Sequence, residues 1–169
     1  ALGRNPHISA VAPLLERRRK VSAEDTHLLH TVRMALRNQV RDPNVLAELS
    51  KIELSDADVG VVAEALAGVD SAEAGAFFAS NIRRLAANRK TLTQHLKNAC
   101  RFASEADLDN IAAVVRQSFS TETEFQIELL KSIVEGISQR GAQPGESIRK
   151  WGAEIAAAVW DNSDVSRVC

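Results

Sequence analysis

Residues 121–137 read TETEFQIELLKSIVEGI, and this stretch indicates the fold more clearly than any other. Its apolar side chains recur three and four positions apart, as on one face of an α-helix; in a strand, apolar and polar residues would alternate. They are Phe125, Leu129, Ile133, Val134 and Ile137. The leading Thr-Glu-Thr-Glu is typical of a helix start, where the first side chain caps the free amides and the acid three residues later supports it. We therefore expect a helix over residues 122–139.

Stretches of this kind recur along the chain at an even spacing. Residues suited to cap a helix follow one another every 33 positions, at Ser22, Ser55, Asn88 and Thr121. Ser71 and Ser104 form a second series with the same spacing. Two helices in about 33 residues are typical of an α-solenoid, in which helix pairs stack side by side.

The sequence thus predicts an all-α fold: a HEAT-like α-α superhelix, or solenoid of antiparallel helix pairs, as a single domain over residues 1–169. The signature residues of tetratricopeptide and ankyrin repeats are absent, which leaves the loosely patterned HEAT type. A plain helical bundle is the alternative. Helix pairs are expected near 8–41 (8–19 and 25–41), 43–67 (43–52 and 56–67), 72–103 (72–87 and 89–103) and 105–139 (105–119 and 122–139), with a final helix at 146–161.

The composition supports helices and excludes some classes of function. Hydrophobic residues make up 45% and charged residues 25% of the chain, whereas aromatics make up 4% and tyrosine is absent. The net charge of −1 lacks the basic excess that wrapping a polyanion requires. No apolar run is long enough to span a membrane, and no signal peptide is visible. Because Met34 is the single methionine, we expect a processed product or an excised domain.

The cysteines offer no cofactor site. Cys100 continues an apolar helical stripe with Leu92 and Leu96, so we expect a buried small hydrophobe. Cys169 is the last residue, and the motif Cys-x-x-Cys-His that attaches haem is absent. We expect no cofactor.

One polar helix face is the best candidate for a functional surface. His27, His30, Arg37 and Arg41 align, together with Met34, on the side of the 25–41 helix opposite its apolar stripe. The two histidines could touch one metal ion, but a catalytic zinc site needs about three protein ligands and no carboxylate shares the face. We therefore predict no metal ligand and no catalytic residue, and interpret these four residues as an interaction surface. The alternative is a face that is merely solvated.

Three functional hypotheses remain at this point. The first is a non-catalytic interaction scaffold, the second a HEAT-like nucleic-acid-binding domain, and the third an enzyme that uses the His27/His30 face. Nucleic-acid binding would use a basic zone, although no aromatic residues for base stacking are interleaved with it. The zone consists of Arg83, Arg84, Arg89, Lys90, Lys97 and Arg101.

Several segments resemble a known family. DTHLLHTVRMALRN at residues 25–38 and LTQHLKNACRF at 92–102, with Gln139-Arg140-Gly141 and Trp151-Gly152, resemble the helical-repeat region of planctomycete-type proteins described as membrane-bound dehydrogenases. In that family a β-propeller resembling sugar dehydrogenases precedes the repeats, and a c-type cytochrome domain often follows. The resemblance covers about residues 10–160. It implies a connector between adjoining domains, with the catalytic and haem residues elsewhere, in a periplasmic or cell-surface protein.

Overall fold

The computed structural model describes residues 5–165, with side chains up to residue 160. Within that part every regular element is helical and no strand occurs, which confirms the predicted all-α class. Among residues 5–165, a 3-10 turn at Ile8–Ala10 precedes nine α-helices. They are α1 (Val11–Lys20), α2 (Thr26–Val40), α3 (Pro43–Leu49), α4 (Asp56–Leu66), α5 (Ala72–Leu85), α6 (Arg89–Phe102), α7 (Glu105–Ser118), α8 (Thr123–Gln139) and α9 (Glu146–Val165).

Most helix starts follow from local capping. Ser55, Ser71 and Ser104 each precede a helix, and each hydroxyl accepts a hydrogen bond from the amide three residues on, at 3.2, 3.1 and 3.2 Å. Such a bond satisfies one of the donors that the first turn leaves free. Asp42 caps α3 in the same way, with Pro43 in the first turn. These predicted starts are confirmed.

Two predicted caps are wrong. Ser22 lies in a turn, in which its carbonyl accepts a hydrogen bond from the amide of Asp25 at 3.1 Å. Helix α2 therefore begins after this turn. Asp25 is its cap, with the carboxylate accepting from the amide of Leu28 at 2.9 Å. Thr121 also lies in a turn, because the amide of Glu122 donates to the carbonyl of Phe119 and α8 starts only at Thr123.

Most helices contact a sequence neighbour and also a helix two elements away. Contacts of the second kind join α2 with α4, α3 with α5, α5 with α7, α6 with α8, and α7 with α9. The apolar side chains between them form one continuous core from Val11 to Ile155. Leu96 and Leu129, which are 33 residues apart, are both fully buried in it.

Glycines mark two close approaches and one helix end. A side chain at Gly136 of α8 would collide with the Lys97 carbonyl of α6, and one at Gly75 of α5 would come within 2.7 Å of the Ala103 amide. Gly141 follows α8 with a φ of 75°, a left-handed conformation that ends helices and favours glycine.

Candidate functional site

The predicted interaction surface lies along α2, and we call His27, His30, Arg37 and Arg41 the α2 surface. His27, His30 and Arg41 are exposed, whereas Arg37 is half-buried. Arg37 donates a hydrogen bond from Nη2 to the carbonyl of Gly68, just after α4. That carbonyl is near the negative end of the α4 dipole, which favours a cation there. Arg37 therefore ties α2 to α4, and the other three remain available for contact.

The two arginines of the α2 surface also share a shallow cavity. Its volume is about 270 Å³, and its remaining lining is the loop at residues 68–71. Neither histidine lines it, so the structure separates the surface into an arginine end and a histidine end. Among the described residues no group of three or more His, Cys, Asp or Glu side chains comes together as a metal site would require.

The charge of α2 makes this surface cationic. Residues 26–41 contain three arginines and two histidines but no carboxylate. Arg33 is four residues before Arg37, on the same side of the helix, and it is exposed. Met34 beside it is 36% exposed. A cationic face with one apolar side chain suits an acidic partner segment.

The basic zone, by contrast, consists largely of contacts between helices. Arg84 donates to Asp56 at 2.6 Å and also to the Leu54 carbonyl. Lys97 pairs with Glu135 of α8. These cations are already paired within the chain, so a phosphate would have to displace their carboxylates.

Two other cations of the basic zone are also paired with carboxylates of the chain. Arg101 lies 3.9 Å from the Asp70 carboxylate, and Arg89 pairs with Glu122. Only Arg83 and Lys90 of the six are exposed without an ion pair within residues 5–160. Sequence reasoning missed these pairs, in which the carboxylate lies 28 to 38 residues away from its cation along the chain.

Arg89 also contacts two aromatic rings, those of Phe119 and Phe125. Its guanidinium lies 4.9 Å from the ring centre of Phe125 and 5.3 Å from that of Phe119. The two rings meet edge to face at 4.9 Å. The hydrogen bond with Glu122 raises the pKa of Arg89 above its ordinary value. These rings hold a cation of the chain itself and are covered by it.

An open groove between α8 and α9 was not predicted. It has a volume of about 880 Å³ and is lined by Arg89, residues 121–125, Ile127, Glu128 and Val159, which we call the α8–α9 groove. Val159 is 44% exposed. Glu124 and Glu128 are one turn apart, and neither has an ion pair within the described part of the chain. In the sequence, the only signal for this groove is the set of apolar residues on the outer side of α8.

Two reactive side chains of α6, Cys100 and His95, are buried. Cys100 is fully buried, and burial raises the pKa of its thiol to about 12. His95 is buried against Phe78, with ring centres 5.6 Å apart, and burial lowers its pKa. Its Nδ1 has no hydrogen-bond partner. The predicted burial of Cys100 is confirmed, while Cys169 lies outside the described residues.

Two tryptophans in α9 have different surroundings. Trp151 is buried, and its Nε1 donates to the Gln126 side chain at 2.8 Å. Gln126 in turn donates to the Phe119 carbonyl at 2.8 Å. Trp160 is 70% exposed near the end of the helix. The first tryptophan therefore joins α9 to the core.

Comparisons with protein-family models, with curated proteins and with solved structures find no match for this chain. No helix within the described residues is both long enough and apolar enough to cross a membrane. The candidate surfaces must therefore be interpreted from their own chemistry.

Proposed function

We propose that this chain is a HEAT-like α-solenoid that acts as a non-catalytic scaffold for contacts with other protein domains. The observation that carries the proposal is the regular separation of its polar contacts. Arg19 pairs with Asp58, 39 residues on, and Arg89 with Glu122, 33 residues on. Further pairs, at separations from 28 to 38 residues, are Arg84–Asp56, Asn110–Ala79, Arg37–Gly68, Arg140–Ala103 and Lys97–Glu135.

A separation near one repeat length is what a stack of helix pairs requires. Each unit of a solenoid contacts only its neighbours, so its side chains reach residues about one unit away. The helix contacts are consistent with this, because each α-helix from α2 to α7 also touches the helix two elements on or two elements back. A plain bundle would also bring distant elements together around one axis, such as α1 and α9.

The placement of the reactive groups supports a non-catalytic role. The nucleophile Cys100 and the imidazole of His95 are buried, and burial disfavours the thiolate of the first and the charged form of the second. His27 and His30 are exposed on a face without a carboxylate to orient them. Nucleic-acid binding is the weaker alternative, because most cations of the basic zone are paired within the chain.

The family resemblance suggests what the scaffold joins. A connector between a propeller domain and a cytochrome domain, in a periplasmic or cell-surface protein, is the role we propose for it. The α2 surface would contact an acidic segment of such a domain or of a separate protein. Arg41, His27 and His30 are exposed for this contact, whereas Arg37 contributes mainly through α4.

The shape is tested by solution scattering of the chain alone. A compact globule of this length has a radius of gyration of about 15 Å. We expect a clearly larger radius, because a row of stacked helix pairs is elongated. A radius at the compact value would favour the plain bundle.

The connector role is tested on the product of the complete reading frame. Arg33→Glu with Arg41→Glu should weaken docking of the adjoining domain and increase the radius of gyration of that product. Arg149→Glu with Lys150→Glu, two exposed cations of α9, is the matched control and should leave the radius unchanged. A reading frame without further domains, or equal radii for both variants, would refute the connector.

A further inference from the structure

The α8–α9 groove combines solvent-facing apolar surface with a clear boundary. Ile127 is half-buried on the α8 side, and Val159 projects from α9 with 44% of its surface exposed. The volume of about 880 Å³ is larger than the 270 Å³ of the cavity beside Arg37 and Arg41. A groove of this kind can accept the apolar side of a helix, whose anchors recur every three or four residues.

The groove is also negatively charged. Glu124 and Glu128 lie at its edge one helical turn apart, with no cation paired to either within the described residues. Arg89 lines the opposite side, but Glu122 and the rings of Phe119 and Phe125 already hold it. Two uncompensated carboxylates beside an apolar wall favour a ligand with cations and apolar groups on the same side.

The other side of α8 shows how such a ligand is bound. There α8 packs along α6, a helix whose residues 89–102 include cations but no carboxylate. Leu92 and Leu96 of α6 are fully buried. Arg89 of the same helix pairs with Glu122, the residue before α8, and Lys97 pairs with Glu135 of α8. Thus α8 already binds one cationic amphipathic helix through apolar contact and two ion pairs.

We infer that the α8–α9 groove is a docking site for a second such helix, supplied by a partner protein. The inference rests on the proposed scaffold function and specifies one partner of it. Cations three or four residues apart on the partner would reach Glu124 and Glu128, and apolar side chains between them would cover Val159 and Ile127. An acidic segment, a nucleic acid or an anionic lipid surface would be repelled by the same carboxylates.

The probe for this site is a synthetic peptide with the sequence of α6, residues 89–102, carrying Cys100→Ser. We expect it to bind the intact chain and to shift backbone NMR signals of residues 121–128 and of Val159. Affinity should fall with added salt, because the ion pairs are exposed. A peptide in which every Lys and Arg is replaced by Glu should not bind.

Matched variants locate the binding. Glu124→Gln with Glu128→Gln should weaken the peptide about tenfold. Glu105→Gln with Asp109→Asn, which removes two exposed carboxylates at the corresponding place in α7, should change affinity less than about twofold. Equal loss in both variants, undisturbed signals at residues 121–128, or no binding would each overturn the inference.

A second copy of the chain is the competing occupant. Its cationic α2 would then fill the groove, and sedimentation equilibrium would show self-association that Glu124→Gln with Glu128→Gln abolishes. That result would also overturn the inference. The radius of gyration of the free chain and the docking test on α2 are independent of this groove, so failure of the proposed function can be told apart from failure of the docking site.

Discussion

At the scale of single residues, burial decides what the reactive side chains can do. Cys100 and His95 both lie on α6 and face the core. Transfer of a charged group from water into apolar surroundings is costly, so the neutral thiol and the neutral imidazole are favoured there. Both side chains therefore contribute as packing groups. Their helical positions in the sequence predict this for Cys100, whereas the contact of His95 with Phe78 depends on how α5 crosses α6.

The buried His95 should make the fold sensitive to acid. Because burial lowers its folded-state pKa below the ordinary value of 6.5, the unfolded chain binds the proton more readily. Its contribution to stability is complete above pH 6.5 and is lost as the pH falls below that value. We expect the free energy of unfolding, measured in urea, to fall between about pH 7.5 and pH 5.5, and to fall less in His95→Phe.

Comparison of variants separates the contribution of His95 to the pH response from that of the carboxylates, which are present in every variant. His30→Gln is the control, because it removes a histidine that is exposed in the fold. It should keep the pH response of the unmodified chain. Identical pH responses for His95→Phe and the unmodified chain would show that His95 does not carry the acid sensitivity.

At the scale of helices, the sequence predicts what local chemistry determines. Caps such as Ser55, Ser71 and Ser104 act on amides within their own first turn, so their positions can be interpreted without any tertiary structure. Ser22 and Thr121 have equally suitable side chains, yet each lies in a turn that precedes the helix. The choice between a cap and a turn residue depends on where the preceding helix ends, and that in turn depends on packing.

The contacts between helices were less predictable. Arg89 and Glu122 are both common surface residues, and nothing local indicates that they meet. The repeat length limits the partners to residues about 33 positions away, and this constraint could have identified the pair. The constraint does not determine which rotamer a side chain adopts or which of several possible partners it contacts. From the sequence alone, the basic zone could therefore be interpreted as a nucleic-acid site. The α8–α9 groove was missed for the same reason.

The close contact of α6 and α8 should depend on Gly136. A methyl group there would collide with the Lys97 carbonyl and lie 3.0 Å from the Cys100 side chain. Because the carbonyl belongs to a helix backbone, relief requires the two helices to move apart. We expect Gly136→Ala to lower the free energy of unfolding by about 1–3 kcal/mol, the usual cost of overpacking, in equilibrium urea unfolding.

Gly60 is a suitable control because it is also within a helix, α4. Nothing lies within 4 Å of where its side chain would be. Gly60→Ala should therefore stabilise the chain by about 0.5–1 kcal/mol, since alanine loses less backbone entropy in a helix. If both variants gained stability, the helix separation at Gly136 would be wider than described.

At the scale of the whole molecule, charge is distributed unevenly along the chain. Seven Lys or Arg and three Asp or Glu occur in residues 5–41, a difference of +4. Five Lys or Arg and eleven Asp or Glu occur in residues 105–165, a difference of −6. The small overall charge therefore conceals a cationic end that carries the α2 surface and an acidic end that carries the α8–α9 groove. The two ends are suited to partners of opposite charge.

A stack of helix pairs and a bundle differ in how the stability of the whole molecule depends on its parts. In a stack, stability is approximately the sum of unit stabilities and contacts between neighbours, so an end unit can open alone. Helix α9 lies at one end of the order and packs on α7 and α8. Trp151, with 2% of its surface exposed, holds it there through apolar contact and the hydrogen bond to Gln126.

Removal of that tryptophan should therefore loosen one end of the molecule. Truncation of a buried Trp to Ala costs about 3–5 kcal/mol, from lost burial and from the cavity that remains. Trp151→Ala also leaves the Gln126 oxygen without its donor. We expect faster native-state hydrogen exchange of the backbone amides of α9, and nearly unchanged exchange in α4 and α5, because α9 packs on α7 and α8.

The matched variant is Trp160→Ala on the same helix. Trp160 is 70% exposed, so its truncation creates no internal cavity and should change α9 exchange much less than Trp151→Ala. Exchange that rises equally in α4, α5 and α9 after Trp151→Ala would mean that the chain opens as one cooperative unit. That outcome would favour a plain bundle, because a bundle distributes the loss of one buried side chain over all helices around its core, whereas a stack confines the loss to the neighbours of the altered unit.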